Sequence, residues 1–100
     1  MSVVMFMELP GVTTQQYDRL NQEMGVVRPE DEPDGLLFHG CGKTDEGLVI
    51  FDIWRSREDI DDFLNNKLGP AAARLGLPQV TPRFGDLYYQ FGRREIAGTA

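Results

Sequence analysis

His39 and Asp52 are the residues whose types and spacing could do chemistry in this chain. A hairpin turn centred between Thr44 and Gly47 puts them opposite each other, or one diagonal step apart, on neighbouring strands. A carboxylate beside an imidazole fixes its tautomer and raises its basicity, which makes His39 a candidate general base or acid. Glu8, on another strand, is a candidate to bind a substrate hydroxyl or to share the proton. Trp54 and Phe6 offer flat apolar walls for an aromatic ligand. Cys41, one pleat from His39, joins the same lining; only Lys43 is near it, so it reads as a small hydrophobe rather than a nucleophile. The alternative is a hydrogen-bonded polar pair inside an interface, since buried polar groups are usually just satisfied.

Other chemistry-bearing patterns resolve to structure. Gly40-Cys-Gly42-Lys43 has no helix after it, so it is not a phosphate loop. Glu58, Asp59, Asp61 and Asp62 suit the first turns of a helix and its dipole, which makes them a solvated face and not a metal site. Tyr17 reads as a core residue of the first helix. With one His and one Cys, no structural zinc site is expected.

The elements that position these residues follow from periodicity. Val3 to Leu9 alternates as a strand, with Val3, Met5, Met7 and Leu9 on a purely apolar side. Pro10-Gly11 ends it. Thr13 or Thr14 then caps a helix, and Gln16 stands at capping-box distance from Thr13. Tyr17, Leu20, Asn21 and Met24 share a face of that helix, and Gly25 suits the position after its end. Residues 26–34 carry two prolines and four acidic residues, the composition of a solvated loop. A strand begins near Leu36, with Leu36, Phe38 and Gly40 on one side and Leu37, His39 and Cys41 on the other. The turn cluster from Gly42 to Gly47 joins it to the next strand.

Gly47 to Trp54 alternates again, and at Ser56 the period changes from two to about 3.6. Ile60, Phe63 and Leu64 then share one helical face. Pro70 is placed to open a new helical turn, with Ala71, Ala72 and Leu75 continuing the stripe. Val80 to Phe91 is the expected last strand, in which Pro82 and Gly85 suggest an edge position or a bulge. Residues 93–100 read as a polar tail.

The order βαββαβ predicts a ferredoxin-like α+β fold: a four-stranded antiparallel sheet with two helices on one face, as one domain over residues 1–100. The sides Val3/Met5/Met7, Leu36/Phe38 and Val49/Phe51/Ile53 are expected under the helices. Glu8, His39, Cys41, Asp52 and Trp54 would then meet on the opposite side. That side also holds Val4, Phe6, Leu37, Leu48, Ile50 and one of Tyr88 and Tyr89, so a second copy of the chain is the expected cover.

Composition narrows the partners. The 100 residues are 41% hydrophobic and 26% charged, with a net charge of −6. An acidic chain with scattered basic residues argues against nucleic acid and anionic membrane surfaces. The apolar runs are strand-sized, and Met1-Ser-Val-Val has no basic region of a signal peptide. A single cysteine fits a reducing cytoplasm.

The stretch Phe51-Asp-Ile-Trp54-Arg-Ser56, followed by Phe63 and by Leu68-Gly-Pro70, resembles the dimeric α+β barrel superfamily. Within it the chain is most similar to the antibiotic biosynthesis monooxygenase-like domains, over Val3 to about Phe91. The resemblance implies a homodimer and, for the enzymes of the group, cofactor-free oxidation of polycyclic phenols by O₂ in a cavity between sheet and helices. Haem-degrading members carry an Asn on the first strand, a Trp in the second helix and a later His. This chain has Glu8, Phe63, and Ala72 or Ala73 there, which speaks against haem. The reading is therefore a cofactor-independent oxygenase or cyclase/isomerase on a small aromatic or polyketide-like molecule. The alternative is a non-catalytic dimeric ligand-binding or accessory domain.

Overall fold

The computed structural model of the chain describes residues 2–92. β1 (Val3–Pro10) lies between β3 (Gly47–Trp54) and β4 (Arg83–Asp86), and β2 (Leu36–Thr44) is the far edge beyond β3. All three pairings are antiparallel, in the order β2-β3-β1-β4. Helix α1 (Thr14–Met24) follows β1, and a second helical arm follows β3. This is the ferredoxin-like α+β fold that the order of elements predicts.

Local signals set the helix ends. Thr13 accepts from the Gln16 backbone N–H, while the Gln16 side chain accepts from the Thr13 N–H, completing the capping box. Gly25 takes φ 75° after α1, a left-handed backbone that favours glycine. In the second arm, Ser56 caps α2 (Arg57–Phe63), which passes into a π-helical stretch (Leu64–Leu68) and then α3 (Gly69–Arg74). The Gly69 N–H reaches Leu64 O, one residue wider than an α-turn. Pro70 has no N–H to give, and its ring would strike the preceding turn of a regular α-helix. A wider turn at this place accommodates it.

The core forms where β1 and β3 meet the helices. Val3, Met5, Met7 and Leu9 pack with Leu48, Ile50, Trp54 and Ile60, and Trp54 and Ile60 are almost wholly enclosed. The β1 side is as expected, but the expected side of β3 is reversed. Register forces this, because Val3 faces Trp54, Met5 faces Asp52 and Met7 faces Ile50. Both sides of β3 are apolar enough to be buried. Leu48, Ile50 and Trp54 bring the bulkier surface, and Asp52 goes in with them because its carboxylate finds partners.

β2 is divided rather than reversed. An irregularity between Leu36 and Phe38 places Leu36 opposite Trp54 and Phe38 opposite Ile53. Leu37 is the extra residue and is exposed. Leu36 therefore points to the helices while Phe38 points away, and His39 and Cys41 return to the helix side. The open side is consequently Val4, Phe6, Phe38, Val49, Phe51 and Ile53, with Glu8 and Arg83 on β1 and β4. Phe51 lies across Gly40, where any Cβ would overlap its ring.

The last strand is shorter than expected. Pro82 cannot extend it backwards, and beyond Asp86, which faces Val3, β1 has no further strand to offer. Leu87 makes one more bond, to Ser2 O. Tyr88 and Tyr89 lie past the sheet and are exposed. The expected polar tail at 93–100 lies outside the described residues. Among the described residues, no helix is long and apolar enough to cross a membrane.

The reversed β3 is testable. Ile50→Ala, on the helix side, is expected to lose about 2–5 kcal/mol in urea unfolding. A loss below about 1 kcal/mol would place Ile50 on the open face.

Candidate functional site

Register delivers the pair anticipated between the hairpin strands. Only Asp45 and Glu46 form the turn, and with Thr44 opposite Gly47 the ladder counts back to His39 opposite Asp52. The His39 Nδ1–H donates to Asp52 Oδ1 at 2.6 Å, and Trp54 Nε1–H donates to Asp52 Oδ2 at 3.1 Å. Asp52 is 5% exposed, yet each of its oxygens has a donor. Trp54 is in turn held by Phe63, its ring centroid 5.3 Å away. Trp54, 1% exposed, thus anchors the carboxylate that holds the imidazole.

The other ring nitrogen meets a residue from α1. Tyr17 lies four residues past the cap residue Thr13, and its hydroxyl is 2.5 Å from His39 Nε2. A carboxylate only accepts, so Nδ1 carries a proton; in the neutral ring Nε2 is then an acceptor and the phenol donates. The two rings are within 4° of parallel, with centroids 6.2 Å apart. The result is a chain of four side chains: Trp54, Asp52, His39, Tyr17. It runs from the core to the surface between α1 and β2, where the His39 side chain is 37% exposed.

Burial pushes the Tyr17 phenol above its ordinary value of 10.0. A hydrogen bond from Asn21 opposes this, while negative charge on Cys41, Asp52 and Asp18 adds to it. Partial desolvation also pushes the Cys41 thiol up, with Asp18 adding and a hydrogen bond from Tyr17 opposing. At neutral pH this part of the surface therefore presents a neutral phenol and a neutral thiol.

Of the six residues anticipated from sequence, His39, Asp52, Trp54 and Cys41 share the helix-covered side. Phe6 and Glu8 do not: both sit on the open side of β1, with the sheet between them and His39. Their strand's alternation puts them there, because Met5 and Met7 take the core positions. The site was also expected on the open face, and it lies instead between sheet and helices. Tyr17 was read as core. Its packing against the core is real, but its phenol belongs to the site; a tyrosine on the inner face of a helix followed four residues later by Asn21 was the available signal.

Two surface grooves accompany this chain of side chains. One, of about 630 Å³, lies on the open sheet face among Phe6, Phe38, Phe51, Ile53 and Arg83. The other, of about 530 Å³, lies beside α2 among Arg55, Asp59, Phe63 and Lys67. Neither is lined by His39. Among the described residues, no group of three His, Cys, Asp or Glu side chains is placed to hold a metal ion.

The chain has the ferredoxin-like α+β fold, and that fold is similar to those of antibiotic biosynthesis monooxygenase-like structures. Solved structures agree at the level of fold. A protein from Deinococcus radiodurans proposed to be an antibiotic biosynthesis monooxygenase has a TM-score of 0.59 at 12% identity, covering 93% of this chain and 98% of its own. SnoaB, a cofactor-independent oxygenase from Streptomyces nogalater, has a TM-score of 0.55 at 14% identity over 92% of this chain and 95% of its own. A monooxygenase from the ActVA-Orf6 gene of Streptomyces coelicolor, solved with nanaomycin D, has a TM-score of 0.53 at 17% identity over 92% and 91%. A protein of unknown function from Nitrosomonas europaea shares the fold as well. No family model matches the sequence, and no curated protein matches it.

Two outcomes test the geometry. Asp52→Ala leaves the Trp54 and His39 donors without an acceptor, and is expected to cost about 1–3 kcal/mol for each group left buried and unpaired, read by urea unfolding. The folded chain holds the Tyr17 proton more tightly than the unfolded chain does. That contribution to stability is full below pH 10.0 and is lost as pH rises from there through the raised folded value. Tyr17→Phe should remove this part of the alkaline decline, measured by unfolding across an alkaline pH series.

Proposed function

We propose that the protein is a cofactor-independent enzyme that removes a proton from a phenol or enol of a small aromatic, polyketide-like molecule. The observation that carries this is the Asp52–His39 pair, anchored inside by Trp54 and with Nε2 turned to the Tyr17 hydroxyl. The base takes the hydroxyl proton, and Asp52 stabilises the imidazolium that forms. The resulting anion is electron-rich, and in an oxygenase it reacts with O₂. For anthrone as a probe, the methylene carbon loses both hydrogens and gains one oxygen atom as a carbonyl. The other oxygen atom leaves as water with those two hydrogens. A cyclase or isomerase would use the same proton removal without O₂. Oxygenases of this fold, SnoaB and the ActVA-Orf6 monooxygenase, support the reading.

The working form in this reading is a cytoplasmic homodimer joined through the open sheet face. Phe6 and Phe51, 36% and 43% exposed, together with Phe38 and Ile53, form an apolar surface that a second copy would cover. A second reading, a non-catalytic dimeric ligand-binding or accessory domain, is favoured by one observation: neither groove reaches His39.

Anthrone oxidation followed by O₂ uptake separates the two. The catalytic reading expects His39→Ala and Asp52→Asn to lower kcat by about 10²–10⁴, the usual worth of a general base. Turnover equal to wild type in both variants would favour the second reading. Light scattering at micromolar concentration is expected to give a dimer, and Phe51→Glu a monomer. A monomeric wild type would refute the interface.

A further inference from the structure

We infer that Tyr17 is a catalytic residue that carries the proton from the substrate hydroxyl to His39, which makes the base a two-residue relay. The inference rests on the base reading of His39 given above. An imidazole nitrogen offers one lone pair, in the ring plane. At Nε2 that lone pair is taken by the Tyr17 hydroxyl at 2.5 Å, from a ring within 4° of parallel. Nδ1 is taken by Asp52 at 2.6 Å. No atom of a substrate can bond either nitrogen while these contacts stand, so a proton reaching His39 passes through the phenol.

Tyr17 is fixed well enough for this. Its ring packs against the hydrophobic core, so moving aside to expose Nε2 would uncover apolar surface. The phenol oxygen donates to Nε2 and takes the hydrogen bond from Asn21, and its second lone pair can accept one from outside. The hydroxyl lies between α1 and β2, with Asn21, Asp18 and Cys41 around it.

The step balances. The substrate O–H proton moves to Tyr17 Oη as the Tyr17 proton moves to His39 Nε2, and Nδ1–H remains on Asp52. The products are a substrate phenolate or enolate, a neutral Tyr17 and an imidazolium beside the Asp52 carboxylate. Tyr17 carries no net charge before or after, which suits a phenol whose ionisation is disfavoured by burial. The substrate class follows: its group must be an acidic hydroxyl able to donate to a phenol oxygen, and not a C–H that needs direct contact with nitrogen. Anthrone satisfies this through its enol.

Tyr17→Phe removes the hydroxyl and keeps the packing. With anthrone and O₂ uptake, the relay expects Tyr17→Phe to lower kcat at least tenfold with KM little changed. His39→Ala should be equally slow, and the double variant no slower than either. If Tyr17→Phe turns over like wild type while His39→Ala is slow, the relay is wrong and His39 remains the base. If His39→Ala turns over like wild type, the base reading fails and the relay with it. One readout needs no substrate: the ¹⁵N resonance of His39 Nε2 is expected to move in folded Tyr17→Phe, and an unchanged resonance would overturn the relay.

Discussion

The buried Asp52 carboxylate is the constraint on which the rest of the structure depends. A charge placed among Met5, Ile50 and Trp54 would be costly without donors. Its two oxygens take the Trp54 indole N–H and the His39 imidazole N–H, one from its own strand and one from the neighbouring strand. This satisfaction allows β3 to turn its Leu48–Trp54 side inward and deliver its largest apolar residue to the core. The same bonds fix the His39 ring, and the ring in turn meets Tyr17 on α1. A single carboxylate thereby ties β3 and the edge strand β2 to the first helix.

Much of the fold was legible in the chain because local chemistry specified it. The Thr13–Gln16 capping box, Gly25, the Ser56 cap and the turn before Gly47 each name a boundary without help from tertiary structure. The hairpin fixed its own register, and with it the His39–Asp52 pairing. The face was not legible. Val49, Phe51 and Ile53 are wholly apolar, while Leu48, Ile50 and Trp54 share their side with an aspartate, so a rule that polar residues face out chose the wrong side. What reversed it was an interaction between strands, invisible in β3 alone. The extra residue at Leu37 then separated Leu36 from Phe38, and no Gly or Pro marked it. Tyr17 was missed for a related reason: its spacing matches the core stripe of α1, and only the helix's placement over β2 brings the hydroxyl to His39.

The sheet's two faces now have separate tasks. The helix side holds polar groups in a connected series that starts in the core and ends at the surface. The open side is aromatic and flat, with Gly40 leaving room for Phe51 to lie down. Glu8 and Phe6 belong to that open side, so in the proposed dimer they would be interface residues rather than ligand contacts. Proteins of this fold include oxygenases and proteins of unknown function. Function on this scaffold is decided by the side chains it holds, and in the proposed reading these are Tyr17, His39 and Asp52.

The central claim is that His39 presents an unprotonated Nε2 to Tyr17 while its Nδ1 proton is held by Asp52. Long-range ¹H–¹⁵N NMR of the neutral imidazole reads this directly. The account predicts a protonated Nδ1 and a lone-pair Nε2. A proton on Nε2 would contradict it, because that nitrogen could then neither accept from Tyr17 nor take a proton from a substrate.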